Sequence, residues 1–222
     1  MRVLSLVLLS LTIANGANAA SEVCPEIDVT AVADDPAVRR MICAAASEKA
    51  KALAACNIRV PTPLRITATT DLPVDCAGLY DCQTKEILVA TPDHLASIAR
   101  PDRPLRFLSP DLEFASVIAH EMTHAAYDRV PCPFENCLAT TEYLAYAMQI
   151  QTLPPAARAA VTSNFTYDRD ISRDEINPVF LLMAPDKFSQ KAWLHLSQRD
   201  APCEFVDQIM RGNIHFDVEH PF

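Results

Sequence analysis

Val117-Ile118-Ala119-His120-Glu121-Met122-Thr123-His124-Ala125-Ala126 decides how the rest of this chain is read. Just upstream, Ser109-Pro110-Asp111 supplies an N-cap, a first-turn proline and an early acid. A helix is therefore expected from Pro110 to about Arg129, stopping before Val130-Pro131. On that helix the histidines, four residues apart, share one face and can hold a single zinc ion, while the adjacent glutamate can reach a water on the metal. Zinc lowers the pKa of such a water toward neutrality, which makes Glu121 the expected general base for hydrolysis. The bare pattern arises by chance on the order of one per cent of the time in a chain of this size. Its uncharged flanks argue against coincidence, because a buried helix that presents only a metal face should look like this.

The motif resembles that of the zincin metallopeptidases, whose HExxH signature is matched by His120, Glu121 and His124. The likeness covers mainly residues 110 to 150. The zincin subgroup with HExxHxxGxxH is excluded, since Tyr127 and Val130 stand where its glycine and third histidine would be. The group with a glutamate as third ligand, the gluzincins, fits better, and Glu142 is the candidate. His124 lies about five residues before the end of one expected helix and Glu142 about five after the start of the next. At helical rise both sit roughly 7 to 8 Å from the connecting loop, at one level of an antiparallel pair. Thr141-Glu142-Tyr143-Leu144-Ala145 departs from the related "EGLA" segment by Tyr143 for glycine, and Tyr146 replaces an acid that often follows one turn later to support a histidine. Asp128 is roughly 12 Å along the helix from His120 and cannot share its ion, and Glu135 lacks the glycine-threonine approach of an aspartate-type site. His195, Tyr127, Tyr143 and Tyr146 stay open as oxyanion partners or as packing residues.

Outward from the motif, Asp35 to Cys56 is Ala- and Lys-rich with apolar residues at helical spacing. Leu64 to Thr69 and Glu86 to Ala90 read as strands, with 86–90 as an edge that could hold an extended peptide. Further helices are expected over Cys137–Gln151, Pro155–Ser163, Pro185–Gln198 and Pro202–Arg211. The expected class is α+β, a mostly helical zincin-like fold with a sheet of two or three strands.

Met1-Arg2, the apolar run Val3–Ile13 and Ala17-Asn18-Ala19 read as an export signal over residues 1–20, leaving one domain over 21–222 in the periplasm or outside the cell. That run is too short to span a bilayer, and no other stretch approaches the necessary length. The eight cysteines all follow it and are expected to form disulfides. Cys76 is expected to pair with Cys82, and Cys132 with Cys137. Cys43 and Cys56, on one helix, would be roughly 20 Å apart and cannot pair, which leaves two patterns for Cys24, Cys43, Cys56 and Cys203. The net charge of −9 speaks against nucleic acid as a partner. With three glycines in the whole chain, no GxGxxG, P-loop or GxSxG element can be written. The expectation is a monomeric, exported, zinc-dependent peptidase acting on peptides or proteins. The alternatives are a non-catalytic binding or inhibitor protein on a metal- and disulfide-stabilised zincin-like scaffold, and a disulfide-stapled interaction protein with an accidental motif.

Overall fold

The computed structural model describes residues 20–74, 76–98, 105, 108–165 and 167–217, so all of the expected export signal but Ala20 lies outside the described residues, as does His220. In chain order the elements are β1 (Ser21–Val23), β2 (Val29–Val32), α1 (Pro36–Ala54), β3 (Leu64–Thr69), β4 (Gly78–Asp81), β5 (Glu86–Ala90) and α2 (Pro92–Ser97). They are followed by α3 (Pro110–Tyr127), α4 (Leu138–Gln151), α5 (Pro155–Thr162), α6 (Pro178–Met183), α7 (Pro185–Ser197) and α8 (Pro202–Met210). The architecture is α+β, with eight α-helices and one five-stranded sheet among the described residues.

The sheet runs β1-β2-β3-β5-β4, with β2, β3 and β5 parallel and antiparallel strands at both edges. Alternation along β3 buries Leu64, Ile66 and Ala68 and leaves Arg65 exposed, giving a face on which helices can pack. Helix α1 makes the crossover from β2 to β3 and packs with α3 against this sheet. It starts where Asp35 accepts a hydrogen bond from Ala37 N at 2.7 Å and Pro36 fills the first turn.

Two expectations about the sheet are corrected. It has five strands rather than two or three, and 86–90 is an interior strand, with β4 as the edge beyond it. At three or four residues each, β1, β2 and β4 are too short to show a period of two, and β4 begins with Gly78 and ends with Asp81, residue types depleted in strands. Asp81 Oδ1 accepts from Gln83 N (2.7 Å) and Thr84 N (3.2 Å), and Lys85 adopts φ 59°, which turns the chain into β5.

The same strand explains why the expected Cys76–Cys82 bridge is not formed. The two residues flank an extended segment, whose six-residue span is roughly 20 Å, far beyond disulfide reach. Cys76 Sγ lies 2.8 Å from Gly78 O instead, and Cys82 is exposed. Cys132–Cys137 is formed as expected, and the other four cysteines adopt the pattern Cys24–Cys43 with Cys56–Cys203. Three disulfides fit an oxidising environment. Among the described residues no helix is long and apolar enough to cross a membrane.

Helix α4 packs between α3 and α7 and is buried on most of its circumference. Its own sequence caps neither end: Cys137 makes no side-chain cap bond, the first turn has no acid and the last has no base. Distant residues take over. Asp217 accepts hydrogen bonds from Ala139 N (2.8 Å), Thr140 N (3.1 Å) and Thr140 Oγ1 (2.6 Å). At the other end, buried Lys49 donates to Thr152 O at 3.0 Å. Each charge has the sign that complements its helix end, so α4 is clamped along its axis.

Candidate metal centre

Hydrogen bonds pair Thr141 with His124, and Gln149 with both His120 and Ser116. Rising numbers on α4 meet falling numbers on α3, so the helices are antiparallel, as the placement of Glu142 required. The Cys132–Cys137 disulfide braces the loop between them. Asp128, at the end of α3, accepts from Lys85 Nζ (2.7 Å) and Tyr80 OH (3.3 Å), which ties the β4–β5 hairpin to the same helix. Burial and the Asp128 charge push the Tyr80 phenol up to about 12.

These contacts bring His120, His124 and Glu142 together, with one ligand atom from each lying within 4.8 Å of the others. His120 Nε2 and His124 Nε2 are 3.0 Å apart. Glu142 Oε2 is 3.6 Å from the former, and its Oε1 3.4 Å from the latter. Neither Asp128 nor Glu135 joins this cluster. Glu121 is buried beside it, at 4 % exposure, with its carboxylate against β4 at Gly78. All four residues line a cleft of about 920 Å³ between β4, α3 and α4.

The hydrogen-bond chain behind His120 fixes its tautomer. Ser116 Oγ donates to Glu113 O (2.7 Å), so it can only accept from Gln149 Nε2 (3.2 Å). That turns Gln149 Oε1 toward His120 Nδ1 at 3.1 Å, where it accepts a proton and leaves Nε2 with a lone pair. For His124 the Thr141 hydroxyl, 2.9 Å from Nδ1, can play either part. Without an ion, His124 Nε2–H must point at His120 Nε2 to keep two lone pairs from facing each other. A cation among the three groups removes that conflict, and two imidazoles with one carboxylate are a donor set suited to zinc.

The electrostatics agree. Burial holds the His124 imidazole down at about 4, and burial with the neighbouring His124 holds that of His120 well below its ordinary value. Both rings are therefore neutral at pH 7, as ligation demands. Burial raises the Glu142 carboxyl to about 7. Glu121 is pushed well above the usual carboxylate range by burial and by the Glu142 charge, against the opposing Tyr80 N–H. Positive charge between them would draw both carboxyls back down.

The chain belongs to a family of unknown function, DUF6639, whose model matches residues 29–219. No curated protein and no solved structure matches it. The matched span contains the three clustered residues, Glu121, and the groups that orient them.

The roles of Gln149, Thr141 and Asp217 are not among those expected from the sequence. Only Gln149 carries a local signal: it follows Glu142 by seven residues, two helical turns, and so shares its face. The support that an acid at position 146 would give a histidine is supplied by Gln149, while the Tyr146 ring stands edge-on to His120 with centroids 4.7 Å apart. His195 is not among the residues that line the cleft. It is buried behind α4, where Arg199 donates to its Nε2 and its Nδ1 lies 2.8 Å from Tyr143 OH. Tyr143 is thereby a core residue, whereas Tyr127 and Tyr146 line the cleft.

Proposed function

We propose that this chain is an exported zinc metallopeptidase of the gluzincin type, in which His120, His124 and Glu142 hold the metal and Glu121 is the general base. The observation that carries the reading is the convergence of three ligand atoms within 4.8 Å, beside a buried carboxylate that is not one of them. A zinc ion in such a site supplies Lewis acidity, which makes water acidic near neutral pH and polarises a carbonyl. The chain's own residues do the rest. Gln149 and Thr141 keep the two Nε2 atoms aimed at the ligand position, and the Glu142 carboxylate adds one negative charge. Glu121 accepts the proton of the attacking water and returns it to the departing amine. An extended peptide held by main-chain hydrogen bonds would lie along β4, the edge strand that lines the cleft. The disulfides favour a periplasmic or extracellular setting.

A purely structural metal site has no need of a buried acid next to its ligands, which argues against the non-catalytic binding or inhibitor reading. The test is metal analysis and hydrolysis of an unfolded-protein substrate by oxidised protein. Wild type is expected to hold one zinc per chain, and Glu121→Gln to keep the metal while losing at least about a hundredfold in rate. His120→Ala should lose metal and activity together. Stoichiometric zinc with no effect of Glu121→Gln on any peptide would leave the binding-protein reading in its place.

A further inference from the structure

Glu121 faces a glycine on the edge strand, Gly78. Among the described residues, Gly212 is the glycine with a left-handed φ, 72°, so Gly78 is not there for conformational freedom. It is there for space. A Cβ built on Gly78 would stand 2.7 Å from Glu121 Oε1, 2.9 Å from Glu121 Cγ and 2.8 Å from Val117 Cγ1. Val117 is buried, β-branched and stiff on its helix. The group that could yield is the end of the Glu121 side chain.

The register of the hairpin says what that side chain holds. Ala77 O accepts from Ala90 N at 2.8 Å, and Gly78 lies opposite Val89 and Tyr80 opposite Ile87. In an antiparallel ladder, bonded and non-bonded pairs alternate, so the backbone groups of Gly78 and Tyr80 point away from β5 to the outer edge. The Tyr80 N–H on that edge favours the charged form of Glu121, whose carboxylate stands two residues away against Gly78.

We propose that Gly78 is a positioning residue for Glu121: the missing side chain opens a window in β4 through which the carboxylate lies against the strand and takes the outward Tyr80 N–H. The base is thus held from the sheet side, independently of the helix that carries it. The role assigned to Glu121 rests on the peptidase reading; the placement of its carboxylate does not.

The experiment is amide hydrogen exchange at Tyr80 in the metal-free protein, alongside zinc binding and steady-state peptide hydrolysis. The Tyr80 amide has no partner on β5, so slow exchange in wild type is the expected mark of its bond to Glu121. Gly78→Ala is expected to speed exchange at Tyr80 by at least about tenfold. It should leave zinc stoichiometry unchanged and lower kcat by about a hundredfold with KM nearly constant, as for a misplaced catalytic group. Glu121→Ala, with the glycine intact, should speed the same amide to a similar degree, and it decides alone if Gly78→Ala does not fold. Exchange at Tyr80 that is unchanged in Glu121→Ala, or in a folded Gly78→Ala, overturns the proposal. Failure of the peptidase reading looks different: wild type would bind no zinc or cleave nothing, while the Tyr80 amide would still report on the window.

Discussion

Replacing Asp217 by Asn tests whether the helix that carries Glu142 is held in place from outside. The carboxylate is buried, at 5 % exposure, and accepts from Ala139 N (2.8 Å), Thr140 N (3.1 Å) and Thr140 Oγ1 (2.6 Å). Asparagine keeps one acceptor oxygen and turns an NH₂ toward groups that are themselves donors, so at least one buried donor loses its partner. Loss of a charge-assisted bond in a buried setting costs about 1.5–3 kcal/mol, and loss of a negative charge at a helix N-terminus a further ~0.5–1 kcal/mol. The expected sum is about 3 kcal/mol. In a domain of this size that is a fall in Tm of roughly 6–12 °C. Equilibrium urea unfolding of the oxidised protein measures it, with the slope m unchanged. A loss under about 0.5 kcal/mol at constant m would refute the clamp, because neither the bonds nor the helix-end charge could then contribute as argued.

The disulfides should rank by the chain they close. Cys56–Cys203 spans 147 residues and Cys132–Cys137 five, so replacing the first pair by serine should cost about 3–5 kcal/mol and the second about 2 kcal/mol in denaturant unfolding. Equal losses would show that the unfolded chain is not what the bridges restrain. Glu175 predicts the acid limb. Hydrogen bonds from Arg169 and Lys191 hold its carboxyl far below the usual range, so its contribution is full above about pH 4.3 and is lost as pH falls toward the folded-state value. Arg169 is well exposed, and after screening Glu175→Gln should cost about 1 kcal/mol at pH 7. The gap from wild type should narrow below pH 4, and a gap that stays constant to pH 2 would rule out this linkage.

What the sequence made legible is what short-range chemistry encodes. The helices over 36–54, 110–127, 138–151 and 185–197 end within two residues of expectation, because Asp35-Pro36, Ser109-Pro110 and Leu153-Pro154 mark their ends locally. His120, His124 and Glu142 come together because helical rise and a short connection place them at one level. The illegible parts depend on distant partners. Asp217 reaches Thr140 across 77 residues, and Lys49 reaches Thr152 across 103. Strand β4 carries no pattern of its own and exists by pairing with β5 and packing on α3. With β4 paired, the sheet edge lies at 78–81 rather than 86–90, and Cys76 and Cys82 are held apart.

The neutral partner behind His120 makes a final prediction that separates this site from the gluzincin pattern proposed for it, where an acid often supports a histidine. Here Gln149 accepts the Nδ1 proton and is itself held by Ser116. A carboxylate in its place would make the imidazole a stronger donor to the metal, since hydrogen bonding to an anion raises ligand basicity. It would also place another negative charge in a buried setting, at a cost in stability. Gln149→Leu removes the acceptor and leaves His120 free to rotate or change tautomer, and zinc affinity should fall by about 10–100-fold. Gln149→Glu should bind zinc at least as tightly as wild type, yet unfold at lower denaturant when metal-free. Competition with a chelator gives the affinities, and urea unfolding of the metal-free proteins gives the stabilities. Wild-type zinc affinity in Gln149→Leu would mean that the ring is oriented by packing against Tyr146 alone, and the hydrogen-bond chain from Ser116 would lose its assigned part in the site.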